Sequence, residues 1–163
     1  MAGIAARADV GKQTVYRWWP TKGDVLMEAL AEHADLQVST ADRGAYPDDL
    51  LSFLRDTFAV LQDAGIVNAL RNLMVAAQHD REFKDRFRAG FLDHRRSAFG
   101  QIMDRAGARG DLPGETDREL AAAVVFGVIW YRMLATSQPL GEADAVALAS
   151  LLAGRRPTAA ARA

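Results

Sequence analysis

Lys12, Gln13, Thr14, Tyr16 and Arg17 crowd one short stretch of the chain, and these residue types together hold the chemistry that reads a DNA duplex. Gln13 and Arg17 can reach base edges in a major groove, while Lys12, Thr14 and Tyr16 can bond phosphate oxygens and fix register. Trp18 follows on the same short helix, expected from about Lys12 to Trp18, and Val15 and Trp19 at i, i+4 turn back toward an interior. Pro20 ends that helix. Thr21 then caps the next one with Asp24 at its third position, which sets Lys22 in a first turn whose exposed backbone N–H groups favour an anion. A phosphate can be held there by side chain and helix end together.

Two short helices must present these groups. Ile4, Ala5 and Ala8 place an apolar stripe on a helix ending near Asp9. Gly11 is read as the turn residue and Val10 as the apolar plug between the two helices. Within the first 22 residues Arg7, Lys12, Arg17 and Lys22 outnumber Asp9, although the whole chain carries a net charge of −1. The basic footprint is therefore local.

In the order I-A-x-x-A-x-V-x-x-x-T-x-Y-x-x-[WF]-x-x-K, the run IAARADVGKQTVYRWWPTKGDVL resembles the DNA-binding end of the tetracycline-repressor (TetR) family of bacterial one-component regulators. The stretch RAGARGDLPGETDRELAAAVVFGVIWYRML resembles the C-terminal domain of one large subgroup. The resemblance implies an all-α homodimer. Its N-terminal helix-turn-helix would bind a palindromic operator, and a larger C-terminal helical domain would bind a small-molecule inducer and dimerise. Carried over, it gives Lys12, Gln13, Thr14, Tyr16, Arg17 and Trp18 as recognition-helix contacts and Lys22 as a phosphate anchor.

Family members carry a further helix before the position of Ile4, and here Met1 stands only three residues upstream of it. Either the true start lies upstream or the chain is N-terminally truncated, its three-helix unit incomplete. Truncation would leave Ile4, Val10, Val15 and parts of Trp19 and Leu26 more exposed. Each such side chain is worth about 1.5–3 kcal/mol, comparable to the stability of so small a unit, so weak or absent operator binding is expected in that case. The reading from a different class is a dimeric ligand-binding or protein-interaction module that has lost DNA binding with its first helix.

The chain has 163 residues, half of them apolar, enough for one sizeable core with a small unit attached. It has no cysteine, which removes disulfides and thiolate metal sites. His33, His79 and His94 show no ligand spacing, no serine sits in a nucleophile elbow, and no glycine-rich loop follows a strand. No enzyme, metal or cofactor is therefore expected. No signal-peptide pattern follows Met1, so the cytoplasm is the expected location.

The organisation expected is a helix-turn-helix domain with connecting helix over 1–37, a regulatory and dimerisation domain over 46–153, and a disordered tail over 154–163. The connecting helix runs from Thr21 to about Gln37. Pro47 opens a helix carrying Leu50, Leu54, Phe58 and Leu61, which Gly65 stops; the next begins at Ile66 and carries Leu70, Leu73, Met74 and Ala77. Asp80 caps a long helix to about Ala106, with Phe83, Phe87 and Phe91 four apart. Its Arg81, Lys84, Arg86, Arg88, Arg95 and Arg96 interleave with acids and read as a solvated, salt-bridged face.

Thr116 to Glu119 reads as a capping box launching LAAAVVFGVIWY, twelve apolar residues and too few to span a bilayer. A helix apolar on every side needs cover all round, and a second copy would supply it. The family resemblance implies that with the last helix, Glu142 to Leu152, it forms a four-helix dimer interface, through Val124, Val128, Tyr131, Val146 and Leu151. Inward residues of the middle helices, Phe58, Leu61, Leu73, Met74, Phe87, Phe91, Met103 and Trp130, are the candidate inducer contacts. The inducer expected is hydrophobic or aromatic, oriented by His94 and Gln78.

Overall fold

The structure, a computed structural model, describes residues 9, 11–19, 21–37, 39–114 and 116–154. The described regular structure is entirely helical: α1 (Lys12–Trp18), α2 (Lys22–Gln37), α3 (Tyr46–Val60), α4 (Ala64–His79), α5 (Arg81–Phe87), α6 (Asp93–Arg109), α7 (Arg118–Tyr131) and α8 (Glu142–Ala153). A π-helical turn, Arg88–Leu92, joins α5 to α6, and a second, Arg132–Thr136, extends α7. The all-α fold follows from caps and apolar spacing that are local to each helix.

Acidic caps set most of the starts. Thr21 and Asp24 bond reciprocally, Asp24 N to Thr21 Oγ1 at 3.2 Å and Thr21 N to Asp24 Oδ2 at 2.9 Å, which fixes where α2 begins. Asp80 Oδ1 accepts from Phe83 N at 3.0 Å. Asp111, remote in sequence, accepts from Tyr46 N at 2.7 Å and so caps α3, whose first turn also holds Pro47. Gly110 (φ +72°) and Gly154 (φ +64°) close α6 and α8 in the left-handed region that favours glycine.

Four local expectations are corrected. The break after α3 comes at Leu61 and Gln62, and Gly65 lies inside the first turn of α4, where Asp63 accepts from Gly65 N and Ile66 N. Asp117, and not Thr116, caps α7 by accepting from Leu120 N at 3.0 Å, while Thr116 Oγ1 donates back to Pro113 O. Asp9, at φ +52°, takes the left-handed position in the turn before α1, in which the sequence singled out Gly11 as the turn residue. The long helix from Asp80 is interrupted by the first π-turn and runs through Gly107 to Arg109.

The core lies among α3 to α8. Leu50, Leu51, Phe53 and Leu54 of α3 are fully buried, against Phe99, Ile102 and Met103 of α6 and Ala145 and Ala149 of α8. Phe83, Phe87 and Phe91 form a stacked row with centroids 6.3 and 5.7 Å apart, and Phe53, Phe99 and Phe126 make a second aromatic chain. Behind them Asp49, wholly buried, binds Arg105 at 3.0 Å and Arg109 at 2.9 Å and accepts from Arg43 N. Burial alone would raise the Asp49 carboxyl, but the Arg43 N–H and the two guanidiniums hold it below the usual carboxylate range.

The apolar α7 is covered on one side only. Ala121, Ala122, Val125 and Ile129 are buried, Val124 and Val128 are half-buried, and Leu120 and Tyr131 are 60% and 63% exposed. With its π-turn the helix reaches 19 residues, Arg118–Thr136, at a mean hydropathy of 1.4, which by length and composition is enough to cross a membrane. The twelve-residue apolar stretch lies within this longer helix. Its buried face packs into this protein's own core.

Candidate nucleic-acid interface and ligand cavity

At the N-terminal end, α1 exposes Gln13, Thr14, Arg17 and Trp18, the last 70% open. A tryptophan left that open is costly as plain surface and suits a contact with a partner. Trp19 turns back, half-buried, and its Nε1–H donates to Glu28 of α2. The side chains of Lys12, Val15, Tyr16 and Lys22, and all of Ile4, Ala5, Ala8, Val10 and Pro20, lie outside the described residues. So does the tail beyond Gly154.

α2 joins α1 to the rest of the molecule through specific contacts. Asp24, buried, receives a hydrogen bond from Arg86 Nε at 3.2 Å, and Arg86 also pairs with Glu82 and lies over the Phe83 ring. Burial raises the Asp24 carboxyl, yet the Thr21 hydroxyl and N–H and the Arg86 charge hold it net low. Gly23 sits so close to Phe83 that a Cβ there would stand 2.8 Å from the ring. Further along, Gly90 in the first π-turn faces Met27, where a Cβ would lie 3.6 Å from the sulfur. The absence of a side chain at 23 lets α2 approach Phe83 this closely, whereas a methyl group at 90 would make ordinary contact with Met27.

One more turn along α2, Leu30 forms part of the wall of a cavity of about 310 Å³. Leu61, Ile66, Leu70, Phe91, Ile129, Trp130 and Met133 supply most of its apolar lining. Both π-turns border it, through Arg88, Phe91 and Leu92 on one side and Met133 on the other. π-turns occur often at functional sites, and the volume lies at the lower edge of small-molecule pockets.

Of the residues singled out by sequence, Leu61, Phe91 and Trp130 line the cavity together. Phe58, Leu73, Phe87 and Met103 are instead almost wholly buried in the core, and Met74 packs against it from the side. They share the inward stripes of their helices, and an inward stripe marks core and cavity alike. His94 and Gln78 are exposed, outside the cavity lining. The polar side chains at the cavity are Thr57, Arg88, Asp93, Arg95 and Arg96. Arg95 stands four residues beyond Phe91 on the row Phe83, Phe87, Phe91, a spacing that marks it as inward despite its charge.

The basic face of this long helical element is ion-paired along much of its length: Arg86 with Glu82, Arg88 with Asp93, and Arg96 with Glu119. Arg95 Nη2 donates to Thr57 Oγ1 at 3.0 Å, and its guanidinium lies 5.6 Å from the Phe53 centroid. Among the described residues no group of His, Asp or Glu is arranged to hold a metal ion.

An exposed polar helix, linked through α2 to the wall of a ligand-sized cavity in a helical domain, is the build of a one-component transcription regulator. Comparison with known proteins agrees. Residues 40–152 match the family described as tetracyclin repressor-like, C-terminal domain. The chain is 27% identical over 140 residues to the HTH-type transcriptional regulator YdeS of Bacillus subtilis strain 168, covering 85% of this chain and 70% of that one. It is 29% identical over 147 residues to the DNA-binding transcriptional repressor TetR of Mycobacteroides abscessus, covering 88% and 75%. The crystal structure of the TetR family transcription regulator SCO0332 superposes with a TM-score of 0.83 at 26% identity, over 96% of this chain and 86% of that one. The protein belongs to the TetR family, a family of transcription regulators and not of enzymes.

Proposed function

We propose that the protein is a ligand-responsive repressor that binds a palindromic operator in the cytoplasm as a homodimer and is released by a small, mainly hydrophobic inducer. The observation that carries this is α2: it begins four residues after the recognition-type helix α1 ends, at Lys22, and forms part of the cavity wall at Leu30. A ligand pressing on Leu30 therefore acts on the element that holds Gln13, Thr14, Arg17 and Trp18 in place. Lys12, Tyr16 and Lys22 belong to the same proposed DNA surface.

Two copies are needed to read two half-sites about 34–36 Å apart. The open side of α7, with Leu120, Val124, Val128 and Tyr131, together with Val146 and Leu151 of α8 forms the proposed interface; Leu151 is 72% exposed in the single chain. A small tilt of α2 in each copy changes the separation of the two recognition helices. Coupling of this kind is typically worth about 1–3 kcal/mol.

The test is a mobility shift with duplex DNA from the promoter of the protein's own gene. Specific binding that weakens in Arg17→Ala and falls steeply with salt is expected. A dimer that binds ligand but no such DNA would instead be the ligand-binding module of the second reading.

A further inference from the structure

A second cavity, of about 210 Å³, adjoins the first: Leu61, Ile129 and Met133 line both, so the two volumes meet at three apolar side chains. Met133 belongs to the second π-turn, and its unbranched thioether chain adapts readily to a new neighbour. The second cavity differs in chemistry. Its polar side chains are Gln62, Asn68, Arg71, Arg132, Ser137 and Gln138, and no carboxylate lines it. Arg132 is matched by Asp144 at 2.7 Å. Arg71 is not matched. Its half-buried side chain donates to Met133 O at 2.8 Å, Ser137 Oγ at 3.1 Å and Asn68 Oδ1 at 3.4 Å, all neutral oxygens, and among the described residues no Asp or Glu pairs with it. Asp63, between the lining residues Gln62 and Ala64, turns its Oδ1 to Gly65 N and Ile66 N instead. The three bonds of Arg71 leave one N–H on each of its two terminal nitrogens. Its anchor is fixed in turn: Ser137 stands at φ +53°, a left-handed conformation that a non-glycine residue keeps only where its surroundings over-determine it, and such residues cluster at ligand sites.

We infer that the inducer is an elongated amphipathic anion, its apolar body in the first cavity against Leu70, Phe91 and Trp130 and its carboxylate in the second, at Arg71. The inference rests on the first cavity being the inducer site. A guanidinium held in place with a free N–H on each terminal nitrogen matches the two oxygens of a carboxylate. An alcohol of the same length leaves the charge of Arg71 unmatched, and an organic cation meets two arginines and no lining acid. The orienting role that the sequence gave to His94 and Gln78 passes to Arg71.

Three probes with one chain length separate the alternatives by titration calorimetry on the full chain: decanoate, 1-decanol and decyltrimethylammonium. Decanoate should bind at least tenfold more tightly than decanol, about 1.4 kcal/mol, and the ammonium more weakly than either. Arg71→Gln should erase the preference for decanoate while decanol binds as before. Ala64→Trp, at an exposed position that lines the second cavity alone, should bring decanoate down to the affinity of decanol; it leaves every bond of Arg71 in place, so it decides the question where Arg71→Gln does not fold. Ile66→Trp, which lines the first cavity alone, should weaken both probes. Equal binding of decanol and decanoate by the unaltered protein, tightest binding of the ammonium, or a preference for decanoate that survives Ala64→Trp would overturn the carboxylate site at Arg71 and leave the cavity reading in place. Binding of none of the three, or decanol binding untouched by Ile66→Trp, would overturn both.

Discussion

Gly23 is where the contact between α2 and α5 is most open to a single methyl group. A Cβ at this position would lie 2.8 Å from Phe83 Cε2 and 3.1 Å from Cζ, both inside van der Waals contact. The ring has little room to yield, because Phe83 is 3% exposed and stacked on Phe87. Overpacking of this kind costs about 1–3 kcal/mol. Against it stands the helix propensity gained by Gly→Ala, about 1 kcal/mol. Gly23→Ala should therefore be destabilising by about 0–2 kcal/mol overall, with α2 pushed off α5. A double-mutant cycle with Phe83→Leu isolates the contact. The smaller side chain makes room for the methyl, so Gly23→Ala should turn stabilising in that background, with a coupling of about 1–3 kcal/mol in urea denaturation. A Gly23→Ala effect that is the same in both backgrounds would refute the claim that α2 docks on Phe83.

Other outcomes follow from the same packing. Asp49→Ala should cost about 1–3 kcal/mol in urea unfolding, since it removes the buried carboxylate shared by Arg105 and Arg109, which keep Asp42 and Asp111 as partners. The Asp49 carboxyl is lower in the folded chain than its ordinary 3.8, so its stabilising contribution is complete above about pH 4 and is lost as pH falls through the folded value; Asp49→Asn should flatten that acid limb of the stability profile. Leu151→Glu, on the open face of α8, should convert a dimer into a monomer in sedimentation at micromolar concentration without lowering helix content, and an unchanged mass would remove α8 from the interface. Arg17→Ala should lower operator affinity at all salt concentrations, with thermal stability unchanged because the side chain is exposed.

Much of the architecture was legible because it is encoded locally. The Thr21–Asp24 box, the Asp80 cap and Pro47 announce helix starts in a few residues each, and the Phe83, Phe87, Phe91 row announces an inner face. Where a cap comes from a distant loop, as Asp111 caps α3, nothing in the neighbouring sequence reports it. The π-turns were not legible either, since an apolar row at i, i+4 is compatible with a wider turn. The cavity was half legible. Leu61, Phe91 and Trp130 carry the inward pattern, but Phe58, Leu73, Phe87 and Met103 carry it equally and fill the core. Whether an inward residue meets a neighbour or a void depends on how helices meet, which spacing along one helix does not record. Arg95 was hidden for the opposite reason: its charge outweighed its position one step beyond Phe91 on the inner row.

The central claim is that cavity and DNA surface are linked through α2, and one titration tests it. Labelled duplex from the promoter of the protein's own gene is titrated with the chain, with and without saturating 1-decanol as an apolar probe of the cavity, and read by fluorescence anisotropy. The account predicts two protomers per duplex, a preference over scrambled sequence, and a 5–150-fold weakening by 1-decanol, the range that about 1–3 kcal/mol of coupling allows. 1-Decanol bound in the cavity with the duplex affinity unchanged would contradict it.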